Sequence, residues 1–213
     1  TSKKECAMSS FDPPFEIHVH GDIPLREDVT FDTLQDLLKP LWSYVGARSL
    51  TSGAGSLYED EPGIHLDAKE HVLHMCWTVR GDEDFRQQLD DLCMNLNDVS
   101  RAGAQIEVTF YDAQYDEDDE AQGRESRDDF VMLFVGPTPA AIMQIQRDLL
   151  VQDVIGLMER HFEAAELTGV VGEIDKLFGE RFEALTSSLD LSRTPRGGSS
   201  GSGHGGRRPR HLH

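Results

Sequence analysis

Cysteine is scarce in this chain, three residues in 213, so no disulfide framework can be the source of its stability. Cys76 and Cys93 fall in apolar-periodic segments and read as reduced, buried thiols, while Cys6 lies in the N-terminal lead-in. Long apolar runs are missing, as is a signal peptide at the start, so the expectation is a cytoplasmic protein with no membrane span. Basic residues are few: 20 Lys and Arg stand against 39 Asp and Glu. Five of those 20, all arginine, lie beyond Ser192, where no carboxylate occurs, which leaves the preceding body with 15 basic and 39 acidic residues. A body that acidic repels phosphates, so no nucleic-acid binding is expected through it.

The common catalytic motifs are absent too. Gly53-Ala54-Gly55-Ser56 has neither the preceding strand nor the lysine of a phosphate loop. There is no Gly-x-Ser-x-Gly elbow and no His-Glu-x-x-His helix. Asp116-Glu117-Asp118-Asp119-Glu120 lacks the spacing and the glycine of a calcium loop and reads as a solvated charge run, as does Glu59-Asp60-Glu61.

What is present is a succession of period-two and period-3.6 segments. Phe15 to His20 alternates, with Phe15, Ile17 and Val19 on one face and Glu16, His18 and His20 on the other, and Gly21-Asp22-Ile23-Pro24 is expected to break it. A helix is predicted over Thr30 to Val45, capped by Asp28 or Thr30, with Pro40 forcing a kink or an end near Leu38. Arg48 to Gly63 has no period, although Leu57 and Tyr58 can pin it down. Ile64 to Leu66 and Val72 to Val79 form either a hairpin or one bulged strand, and the second segment carries the strongest strand signal in the chain. A helix capped by Asp82 then runs to Val99, with Phe85, Leu89, Leu92 and Leu96 as its buried stripe. The strand Gln105 to Tyr111 follows. Tyr115 to Asp129 is expected to be a mobile acidic insertion, and Phe130 to Val135, apolar on both faces, a central or covered strand. Ala140 to Phe162 and Glu166 to Leu189 are predicted helices, the first opened by Thr138 and Pro139.

These elements predict an α+β fold: a four-stranded, mainly antiparallel sheet with helices on one face, followed by a C-terminal helical hairpin. Two strand-helix-strand units would make the sheet ferredoxin-like, a match left incomplete because the last unit ends in helices. The organisation expected is a lead-in over 1–14, a sheet domain over 15–136 with the insertion near 115–129, a hairpin over 137–191 and a basic, disordered Gly/Ser-rich tail over 192–213. A sheet covered on one side leaves Val72, Phe130, Met132 and Phe134 seeking cover, and the hairpin has apolar surface to spare. A homodimer is therefore the expected assembly.

The chemistry-bearing residues gather on the second face of that sheet. His18 and His20, two apart on a strand, point the same way and can share a metal ion. His74, Glu107 or Cys76 from neighbouring strands would complete the set, with Glu16 or Tyr111 as general base or supporting residue. Such donors suit zinc, iron or manganese. Histidines standing on a sheet surface and packed under a partner subunit would show the same pattern. His65 and His71, flanking the hairpin, are further loop candidates, whereas His161 near a helix C-terminus is favoured by the helix dipole alone. Two functions remain open: a non-catalytic domain that self-associates or docks a protein, and a small metal-dependent oxygenase or hydrolase.

Overall fold

The computed structural model describes residues 12–192, with side chains through Ala184; Cys6, the remainder of the lead-in and the basic tail after Ser192 lie outside it. Five strands, not the four expected, form one antiparallel sheet. They are β1 (Phe15–Pro24), β2 (Gly63–Asp67), β3 (Val72–Gly81), β4 (Ala104–Asp112) and β5 (Asp129–Val135), in the order β2-β3-β1-β4-β5. The additional strand arises because Ile64 to Leu66 forms a true hairpin with β3, pairing Ile64 with Met75 and Leu66 with Leu73. His71, at φ 53°, makes the turn between them.

β1 lies at the centre, and its alternation runs past the expected stop. Gly21 does not break it, because that position lets β4 come close: a Cβ there would stand 2.9 Å from the Gln105 carbonyl oxygen. Ile17, Val19 and Ile23 of β1 are fully buried with Trp77 of β3 and Ile106, Val108 and Phe110 of β4. The helices cover this face. They are α1 (Phe31–Leu37), α2 (Lys39–Tyr44), α3 (Leu50–Gly53) and α4 (Phe85–Asn97). The single helix expected over 30–45 is two, divided at Leu38 because Pro40 can occupy the first turn of a helix but not its interior. Thr30 caps α1, its hydroxyl accepting the Thr33 N–H at 3.3 Å. α3 interrupts a stretch that shows no period; Ser49 and Ser52 cap each other reciprocally there. Asp82 does not cap α4. The helix starts after Asp84, and the Asp82 carboxylate instead accepts the Asp84 N–H at 3.0 Å and the Tyr44 hydroxyl at 2.8 Å.

β5 is an edge strand rather than a central one. Val131, Leu133 and Val135 face the helices, opposite Val108, Ile106 and Ala104, which leaves Phe130, Met132 and Phe134 on the other face and Phe130 exposed. The acidic segment before β5 carries one short helix, α5 (Glu117–Ala121), with Asp116 and Asp119 as its capping box. Two long helices end the fold: α6 (Pro139–Met158), capped by Thr138, and α7 (Ala164–Ser192). The base of α6 docks where Gly103 has no side chain, since a Cβ there would meet the Ala141 carbonyl oxygen at 2.6 Å. Beyond that base, α6 packs mainly on α7. Among the described residues, no helix is long and apolar enough to cross a membrane.

Candidate functional site

The register of the sheet sets out its helix-free face. Directly across β1, His18 stands between Thr78 and Thr109, Glu16 beside Tyr111, His20 between Cys76 and Glu107, and Asp22 beside His74. One further segment reaches this face, the loop from Ala54 to Pro62. The indole N–H of buried Trp77 donates to the carbonyls of Gly53 and Gly55, each at 3.1 Å, and so fixes the start of the loop in the helix layer. The loop then turns around the edge of β3. Its Leu57 N–H donates to the Thr78 carbonyl at 2.8 Å, and the Ser56 hydroxyl accepts the Thr78 N–H at 2.8 Å. Gly63 closes it at φ 76°, where a Cβ would lie 2.1 Å from the Ala54 carbonyl oxygen.

The loop thus brings Tyr58 and Glu61 onto the sheet face. The Thr78 hydroxyl donates to Glu61 Oε1 at 3.0 Å and lies 2.8 Å from His18 Nδ1. Having given its one proton to the carboxylate, that hydroxyl can only accept from His18, so a neutral His18 ring carries its hydrogen on Nδ1 and leaves Nε2 with a lone pair. Glu61 Oε1 is itself 3.4 Å from His18 Nδ1, and the Ser56 hydroxyl donates to its other oxygen. Both side chains are largely sheltered, His18 at 24% exposure and Glu61 at 18%. Tyr58 donates to Glu16, and that hydrogen bond is the main reason its phenol is raised above the usual range. Glu16, His18, Tyr58, Glu61, Thr78 and Tyr111 enclose an open recess of about 380 Å³.

The chain belongs to a family of unknown function, DUF6806. That family's model matches residues 15–179, which takes in the sheet, its covering helices, α6 and the first half of α7. No curated protein and no solved structure matches the chain.

The residues expected to share an ion are distributed over three places. His18 and Cys76 group with Glu61, each offering one donor atom within 4.8 Å of the others, and this is the metal-competent group of three found among the described residues. His20 lies alongside, its ring stacked on that of His18 at 6.2 Å, and lines a separate recess with Gly21, Asp22, Gln105 and Glu107. His74 turns to Asp22, Nδ1 to Oδ1 2.6 Å, and stacks on His65. Glu16 and Tyr111 line the larger recess. The Cys76 thiol is raised by burial and by Glu61 and Asp60, so it holds its proton. Glu61 reads in the sequence as a solvated charge and stands in the structure as a half-buried carboxylate. No periodicity marks it, because a loop brings it there; the hint was its place between Tyr58 and Gly63.

Proposed function

We propose that this domain is a non-catalytic self-associating module that pairs with a second copy of itself through the α6–α7 hairpin. The observation that carries this reading is the hairpin's apolar surface: Leu150, Leu157 and Leu177 are 42%, 77% and 62% exposed. Two helices can bury only the stripe along which they touch, here around Met143 and Ile174. A second hairpin related by a two-fold axis meets the same surface with itself and makes a four-helix bundle, and each leucine fully buried there contributes about 1.5–3 kcal/mol. The edge row Phe130, Met132 and Phe134 supplies further apolar surface. The strand order β2-β3-β1-β4, with helices after β1 and β3, supports a ferredoxin-like core extended by β5. Free thiols at Cys76 and Cys93 fit a cytoplasmic setting, and the acidic body argues against nucleic acid as a partner.

The test is the mass of the full chain by light scattering at tens of micromolar, beside a variant carrying Leu157→Glu and Leu177→Glu. A dimer for the first and a monomer of unchanged helical content for the second are expected. A monomeric wild type overturns the reading.

A further inference from the structure

We propose that His18, Glu61 and Cys76 form a binding site for one divalent zinc-class metal ion, with the carboxylate supplied by the Ala54–Pro62 loop and not by the sheet. This inference is independent of self-association. The three donors come from β1, the loop and β3, and their ligating atoms lie within 4.8 Å of one another. A tetrahedral ion bound at about 2.0–2.3 Å to nitrogen, oxygen and sulfur holds its ligands roughly 3.3–3.8 Å apart. The group therefore closes on an ion by side-chain shifts on the order of 1 Å, with the backbone already in place.

Three features make this more than a chance proximity. Glu61 is aimed: Ser56 donates to one of its oxygens and Thr78 to the other, as the supporting contacts of a metal carboxylate do. The loop that delivers it is anchored at Gly53, Gly55, Leu57 and Gly63, so the carboxylate does not depend on a freely moving chain. The donor set also matches the ion. A carboxylate and a thiolate together neutralise a dication, and a mixed imidazole, thiolate and carboxylate set suits zinc better than magnesium or calcium, which take oxygen donors. Binding must displace the Cys76 proton, while the neutral His18 ring keeps its single hydrogen on whichever nitrogen faces away from the ion. Uptake therefore releases one proton to solvent and strengthens as the pH rises. His18 and Glu61 also line the recess shared with Glu16, Tyr58, Thr78 and Tyr111, which gives a fourth ligand, such as water, access to the ion.

The experiment uses the full chain, purified without a metal-affinity step and stripped with chelator, then titrated with Zn²⁺ against a chromophoric competitor and separately with Co²⁺. One zinc per chain with a submicromolar Kd is expected, and a thiolate-to-cobalt charge-transfer band in the near ultraviolet. Cys76→Ser should abolish that band, and His18→Ala and Glu61→Gln should each weaken zinc binding at least tenfold, while His20→Ala and Glu107→Gln leave it unchanged. Glu61→Gln, on a surface loop, keeps the test decisive if Cys76→Ser disturbs folding. Wild-type binding weaker than about ten micromolar, or a cobalt complex without the thiolate band, overturns the proposal. So does affinity indifferent to both His18→Ala and Glu61→Gln, which would place the metal on other histidines of the chain.

Discussion

Arg127 grips Asp112 with two parallel hydrogen bonds, Nε to Oδ2 and Nη2 to Oδ1, both 2.8 Å. The carboxylate also accepts the backbone N–H of Gln114 and of Arg127, at 3.1 and 3.2 Å, and its side chain is fully buried. From the other direction, Asp128 accepts the Asp112 N–H at 2.7 Å. These bonds close the neck of the acidic segment carrying α5 and bring the chain back to begin β5 beside β4. The Arg127 guanidinium, aided by the two N–H donors, holds the Asp112 carboxyl well below the usual carboxylate range despite its burial.

A depressed carboxyl sets a sign for acid stability. Asp112 contributes its stabilisation fully above the unfolded-state value near pH 4 and loses it progressively as the pH falls below that towards its native value. Urea unfolding at about pH 7 should show Asp112→Asn destabilised by about 1–3 kcal/mol. Repeated at about pH 2.5, the difference between wild type and variant should shrink. A difference that grows on acidification would contradict the assignment.

Gly63→Ala should be among the most damaging small substitutions in the chain. The residue sits at φ 76°, and the added carbon would lie 2.1 Å from the Ala54 carbonyl oxygen. Strain and displacement of the loop together should cost roughly 2 kcal/mol or more, read by denaturant titration. Glu61 should shift with the loop.

Trp77→Phe keeps an aromatic ring in the core but removes the N–H that binds Gly53 and Gly55. The two carbonyls lose a donor and the ring leaves a small void, for a loss of about 1–3 kcal/mol. Amide hydrogen exchange should quicken most at Leu57 and Ile64, whose N–H groups bind Thr78 and Ala54. Uniform acceleration across the whole sheet would show that Trp77 serves only as core volume.

Cys93 is pushed up to about 11 by burial, with a small push from Asp90. At about pH 7.5 its thiolate fraction is about a hundredfold below that of an ordinary cysteine, so iodoacetamide should label it correspondingly slowly. Cys76, raised in the same direction, should also label slowly. Peptide mass spectrometry over a time course reads both rates, and fast labelling of Cys93 in the folded chain would show that its helix opens readily.

Period and chemistry in the sequence determined the inward faces of the strands and helices. Ile17, Val19, Trp77, Ile106 and Phe110 alternate with polar neighbours, and Phe85, Leu89, Leu92 and Leu96 recur at helical spacing; all of them are buried. The break at Leu38 was legible because proline excludes a helix interior locally. Strand neighbours were not. An edge strand and a central one can share the same apolar pattern, and only the pairing of β5 with β4 alone puts Phe130 in solvent. The histidine face was readable as a face, but its partition was decided by tertiary packing. Period two places His18 and His20 side by side, whereas the hydrogen bonds of Trp77 and the bare α-carbon of Gly63 carry an aperiodic loop around β3 and set Glu61 beside His18 and Cys76. Local spacing governs which way a side chain points; long-range closure governs what it meets.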